Sequence, residues 1–253
     1  MILVAMSFAN NFLDARMAEN EFSTNKQFLL TTGLQIDDIA WTIGRTQTVR
    51  YSSMFGNMKF QSATVNYTFE VYTGAGWETL FSNVTGMILF NIPVSTYSVS
   101  NNYFERITPS SNGSFLQQGS SAPVTHVFCV EKLPMNEGNY TRIVVVPSIR
   151  MLNSTISGPQ QNPTNYFKFY LPTLEPGSHL YRSQSITMTG SDIIKVTQSE
   201  VDQVRITVTF PNVGLGFDSG FFNFDHVSET IDLPDESVVE FYTGKVIVTL
   251  GQV

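Results

Sequence analysis

The spacing of apolar residues changes once, near residue 45, and this limits the fold more than any other feature. Before it, Phe8, Phe12, Ala15, Ala18, Phe22, Leu29, Ile36, Ala40 and Ile43 recur at steps of three, four and seven. That is the spacing of one helix face. The stripe lapses near Asn25 and Lys26, and a second, ragged one runs through Leu13, Met17, Phe28, Leu30, Leu34 and Trp41. No proline precedes Pro93, Gly33 is a weak point, and Gly44 offers a left-handed stop. The spacing predicts a helix from Ile2 to Ile43, roughly 60 Å long at about 1.5 Å per residue. A small domain is narrower than that, so one end must project or pack against something outside the domain.

After residue 45 the period is two. Val65, Tyr67, Phe69 and Val71 alternate with Asn66, Thr68 and Glu70, and the runs 204–210 and 238–250 behave likewise. Runs 87–90, 128–130, 140–146 and 166–171 are rich in β-branched and aromatic residues. Turn signals separate them, including Thr73-Gly-Ala-Gly76, Asn112-Gly113, Glu137-Gly138 and Pro176-Gly177. The expected fold is mainly β with one long N-terminal helix: residues 1–44 are the helix, and residues 45–253 form an antiparallel β-sandwich or irregular barrel. No alternating βα units occur, which argues against a doubly wound nucleotide-binding fold.

Charged residues make up only 14% of the 253, and Asn, Ser and Thr together exceed a quarter of the chain. Surface polarity therefore rests on amides and hydroxyls, a composition that suits an extracellular β protein. A net charge of −7 argues against nucleic acid as a partner, which requires clustered Lys and Arg. The single cysteine, Cys129, excludes an intrachain disulfide framework, and its apolar surroundings read as a buried strand.

Local signals for chemistry are weak. Gly74-Ala-Gly76 lacks the third glycine and following helix of a dinucleotide site and reads as a turn. His126, His179 and His226 have no ligand-spaced partners, so no catalytic residue and no cofactor is assigned. The acidic stretch 217–236 offers Asp218, Asp225, Glu229 and Asp232 as candidate calcium ligands, without EF-hand spacing. Paired carboxylates of a secreted hydrolase would come from the same stretch. Sequons at Asn66, Asn83, Asn112, Asn139 and Asn153 permit N-glycosylation, and Asn112 and Asn139 are expected in loops. Most aromatic residues fall at core positions; Trp77, beside a glycine-rich turn, is the one candidate for sugar contact in an adhesin or carbohydrate-binding module.

The first 13 residues carry no charge, yet are too few to span a bilayer. They read either as an ordinary buried helix end or as the tail of a longer hydrophobic helix; on the second reading Ile2, Leu3, Val4, Phe8, Phe12 and Leu13 are the assembly or anchor residues. Leu29, Ile36, Ala40 and Ile43 are then expected to hold the helix to the β body. An apolar helix start leading through residues 11–22 and 35–50 into an Asn/Ser/Thr-rich β body resembles archaeal type IV pilin-like and other membrane-anchored surface proteins. The resemblance implies a non-catalytic surface subunit, anchored in the membrane or self-assembled through its helix, with the β domain displayed outward. A basic cleavage motif before the helix, part of that pattern, is absent from the sequence.

Overall fold

The computed structural model describes residues 2–157, 163–180 and 183–251, with side chains from Phe12 onward except Glu236. Helix α1 spans Ile2–Ala40. Ala18, Glu21, Phe22, Asn25, Leu29, Thr32, Ile36, Ile39 and Ala40 are buried. Steps of three and four, with the adjacent pairs Glu21/Phe22 and Ile39/Ala40 widening the stripe, put them on a single face. The helix ends three residues before the expected stop. The Thr42 N–H bonds the Ile39 carbonyl at 3.2 Å, and Gly44 takes a φ of 81°. Ile43 therefore lies beyond the last turn and is 63% exposed. It does not hold the helix to the body, because the helical phase that would have turned it inward has already ended.

Among the described residues eleven strands follow: β1 (Thr46–Arg50), β2 (Asn57–Tyr72), β3 (Trp77–Pro93), β4 (Tyr103–Thr108), β5 (Leu116–Gln118), β6 (Thr125–Glu131), β7 (Tyr140–Pro147), β8 (Ile149–Ile156), β9 (Thr164–His179), β10 (Ser185–Thr209) and β11 (Ser228–Gly251). A short helix α2 (Ser219–Phe222) precedes β11. The strands join in the order β4-β6-β7-β3-β2-β10-β11-β9-β8-β5, with β1 beside β10. Most pairs are antiparallel, but β9 runs parallel to β11, and β5 to β8. The sheet is therefore mixed, and it is not a closed barrel, because β4 and β5 remain free ends.

The sheet serves two cores. In β3, β6 and β7, alternate side chains go to opposite sides. Ile88, Phe90, Val127, Cys129, Ile143 and Val145 meet the helix, with Leu29, Ile36 and Ile39 among their neighbours. Met87, Leu89, Phe128, Val130, Val144 and Val146 enter a second core with Phe69, Phe169, Phe241 and Phe221. This explains the unbroken apolar runs of β6 and β7, since a strand buried on both faces has no polar side. In the outer half of β2 the alternation survives: Val65, Tyr67, Phe69 and Val71 are buried, and Asn66, Thr68 and Glu70 are half-exposed. Cys129 lies in β6 on the helix side, where burial pushes its thiol up to about 12 and keeps it neutral.

Candidate functional site: the projecting end of the helix

From Phe12 to Met17 every residue of α1 is exposed, and Ala18 is the first to be buried. The helix therefore leaves the body one residue before Ala18. Along its outward face the chemistry changes at the same place. Asn20, Thr24, Gln27 and Thr31, at steps of three and four, are exposed and polar where the helix lies on the sheet, and the row ends on Leu34, 55% exposed beside the 120–124 loop. The same row continues beyond the body as Met17 and Leu13, which are 41% and 56% exposed, beside Phe12 at 56%. Arg16 lies over the Phe12 ring at 5.5 Å and bonds Glu19 at 2.7 Å. The side chains of Ile2, Leu3, Val4 and Phe8 lie outside the described residues.

The exit point is rigidly held. Glu21 is buried, and its carboxylate accepts the backbone N–H groups of Met54, Phe55 and Gly56, in the loop between β1 and β2. Consecutive backbone amides make an anion-binding concavity, here filled by the helix's own carboxylate. One turn on, the Asn25 amide donates to the carbonyls of Ser52 at 2.9 Å and Glu21 at 3.0 Å. Phe28 packs on Tyr51, Phe22 packs on Tyr97, and Lys26 pairs with Glu105 at 2.6 Å. The apparent lapse of the apolar stripe at Asn25 and Lys26 is thus where the helix is tied down by polar groups. No periodicity argument finds such bonds, because their partners lie far off in sequence.

Of the residues expected to join helix and body, Leu29, Ile36 and Ala40 are buried. Farther along, Asp37 accepts both N–H arms of Arg150 at 3.1 and 2.6 Å and the Trp41 indole N–H at 2.7 Å. Asp37 and Arg150 also line a pocket of about 200 Å³ with Leu34, Thr108 and residues 120–124. That is below the size usual for ligand sites, and its two charged groups pair with each other.

The candidate calcium ligands are not brought together, and no group of three or more His, Cys, Asp or Glu side chains among the described residues could hold a metal ion. Each carboxylate has separate work. Asp218 caps α2 through the Phe221 N–H and pairs with Lys132; Asp225 pairs with Arg106 and accepts the Gly113 N–H. Glu229 accepts from Ser114, and Asp232 from Gln203. His126 is buried against Phe224, and burial pulls its imidazole down to about 4, so the ring is neutral near the Ser114 carbonyl.

None of the sequon asparagines is buried: Asn66 and Asn83 are half-exposed on β2 and β3, and Asn112, Asn139 and Asn153 are exposed. Asn112 and Asn139 do lie in loops. Trp77 is 38% exposed and opens β3 after the four-residue turn 73–76. The Arg205 guanidinium lies 4.2 Å from the centre of its ring, itself bonded to Glu70 at 2.7 and 2.9 Å. One face of the indole is thus occupied by the protein itself, which removes it as a stacking surface for a sugar. Among the described residues no helix is long and apolar enough to cross a membrane. No family model, no curated protein and no solved structure matches the chain.

Proposed function

We propose that the protein is a non-catalytic cell-surface structural subunit that assembles with copies of itself through the projecting end of α1 and displays its β body outward. One observation carries this reading: from Asn20 to Thr31 the outward row of the helix is polar, whereas Met17, Leu13 and Phe12 expose apolar side chains that nothing among the described residues covers. An exposed apolar helix end recovers about 25 cal/mol per Å² when buried, which favours association. The polar bonds of Glu21 and Asn25 support the same reading, since they fix the exit direction and reduce the entropy lost on association. A pilin-like, extracellular arrangement fits this proposal, as do the accessible sequons and the amide- and hydroxyl-rich surface.

The test is the oligomeric state. Light scattering of Phe12→Glu should show smaller particles than the unchanged chain, with the β-sheet circular dichroism retained. An unchanged particle size would refute the assembly role of the helix.

A further inference from the structure

β10 has β11 along one side for nearly its whole length, but its other side is only partly occupied. β1 pairs with Ser185–Thr189, and β2 with Gln203–Thr209. Between them, no strand among the described residues pairs with Ser191–Asp202 on that side. Among the described residues neither α1 nor a loop covers the gap, and Asp192, Ile194, Lys195, Thr197 and Glu200 are all exposed.

An unpaired edge presents a row of free N–H and C=O groups, which is a template for another extended segment. Bulges at Gly190/Asp192 and Gln198/Val201 bracket the run Ile193-Ile-Lys-Val-Thr197, leaving it regular and rich in β-branched residues. Register assigns its faces. Val196 stands opposite buried Phe241 and Ile194 opposite Thr243, on the inner side; Lys195 stands opposite Tyr242, on the outer side. Ile194 is 36% exposed, so the inner side lacks cover at this edge.

Charge and length narrow the occupant. Asp192, Glu200 and Asp202 form no ion pair among the described residues, whereas Lys195 is already bound to Glu240 at 2.6 Å. The edge is therefore acidic toward both ends. β1 and β2 close those ends, so the gap admits a short strand of on the order of 35–40 Å at about 3.3 Å per residue. The full β10 of a second copy, with its own β1 and β2 attached, is too long for it.

We infer that the Ser191–Asp202 edge of β10 is a β-augmentation site for a short extended peptide of a partner protein. Alternate apolar residues of that peptide cover Ile194 and Val196, and basic residues near its ends face Asp192 and Glu200. This site is independent of the helix and stands whether or not the chain assembles.

The experiment uses the full chain and two labelled peptides, Lys-Thr-Val-Thr-Val-Thr-Val-Thr-Lys, whose Lys and Val side chains share one strand face, and its Glu-flanked counterpart. Fluorescence anisotropy should show the Lys-flanked peptide binding at least about tenfold more tightly. Hydrogen exchange should show its protection confined to 191–202. Asp192→Lys with Glu200→Lys should reverse the preference. Failure of the wild-type chain to bind either peptide, equal binding of the two, or protection elsewhere would overturn the inference. So would protection of 191–202 that rises with protein concentration alone, which would make the occupant a second copy.

Discussion

The Glu21 carboxylate accepts the backbone N–H of Gly56 at 3.0 Å, with those of Met54 at 2.9 Å and Phe55 at 3.0 Å beside it. A residue on the helix thereby closes a loop more than thirty positions away, at the level where the helix leaves the body. Both partners are fitted to this contact. A Cβ on residue 56 would lie 2.4 Å from the Phe90 ring and 2.8 Å from the Asn91 carbonyl oxygen, so only glycine permits the approach.

Glu21→Ala removes the acceptor of three backbone N–H groups and leaves the amides of 54–56 without their anion. Hydrogen bonds to a charged group contribute about 1.5–3 kcal/mol each, and part of the loss is recovered by water. The expected cost is about 2–4 kcal/mol in urea unfolding. Hydrogen exchange should show faster exchange at 54–56 and none of that change in β6 or β7.

Gly33 lies where the helix packs closely on β6. An added methyl would sit 2.9 Å from Val127 Cγ2 and 3.0 Å from Thr125 Oγ1, both on β6. In an exposed helix Gly→Ala gains about 1 kcal/mol. Here overpacking of about 1–3 kcal/mol opposes that gain. Gly33→Ala should therefore lower the unfolding midpoint, and a raised midpoint would mean that the helix can lift from β6 without cost.

Acid should destabilise the protein in two stages. Burial pulls His126 from its ordinary 6.5 to about 4, so the unfolded chain takes up a proton first as pH falls below about 6.5. Stability is then lost with a limiting slope of ~1.4 kcal/mol per pH unit, until the folded protein itself protonates near 4. Glu131 adds the second stage. Burial alone would raise its carboxyl, but hydrogen bonds from Thr141, Ser98 and the Val99 and Ser100 backbones outweigh it and leave the group below its usual range. Its contribution is present above the ordinary carboxylate value and disappears as pH falls through the depressed one. His126→Gln should flatten the stability profile between pH 6.5 and 5 and leave the steeper fall below 4.5. An unchanged profile would mean that His126 is accessible to protons in the fold.

The helix and the outer half of β2 were legible because each buries one face only, so Ala18, Phe22, Leu29 and Ile36, or Val65 to Val71, carry the period of their element. Ile43 misled because the arithmetic of the stripe runs on past Ala40, whereas the backbone turns at Gly44. The parallel pairing of β9 with β11 left no mark in either strand, since both runs look the same in either direction. Glu21 and Asn25 were illegible for a different reason: a buried polar residue is explained by its partner, and Ser52 and Gly56 are named by the fold alone. The acidic stretch 217–236 offered a plausible ligand set by composition, but its carboxylates are spent on a helix cap, ion pairs with Arg106 and Lys132, and hydroxyl and amide donors.

Sedimentation velocity of three chains over a wide concentration range tests the central claim most directly: the wild type, Leu13→Glu with Met17→Glu, and Thr24→Glu. The account predicts concentration-dependent assembly for the wild type and for Thr24→Glu, whose substitution lies on the polar row beside the body. It predicts a folded monomer for the double variant. A wild type that stays monomeric throughout, or a double variant that assembles as the wild type does, would contradict it.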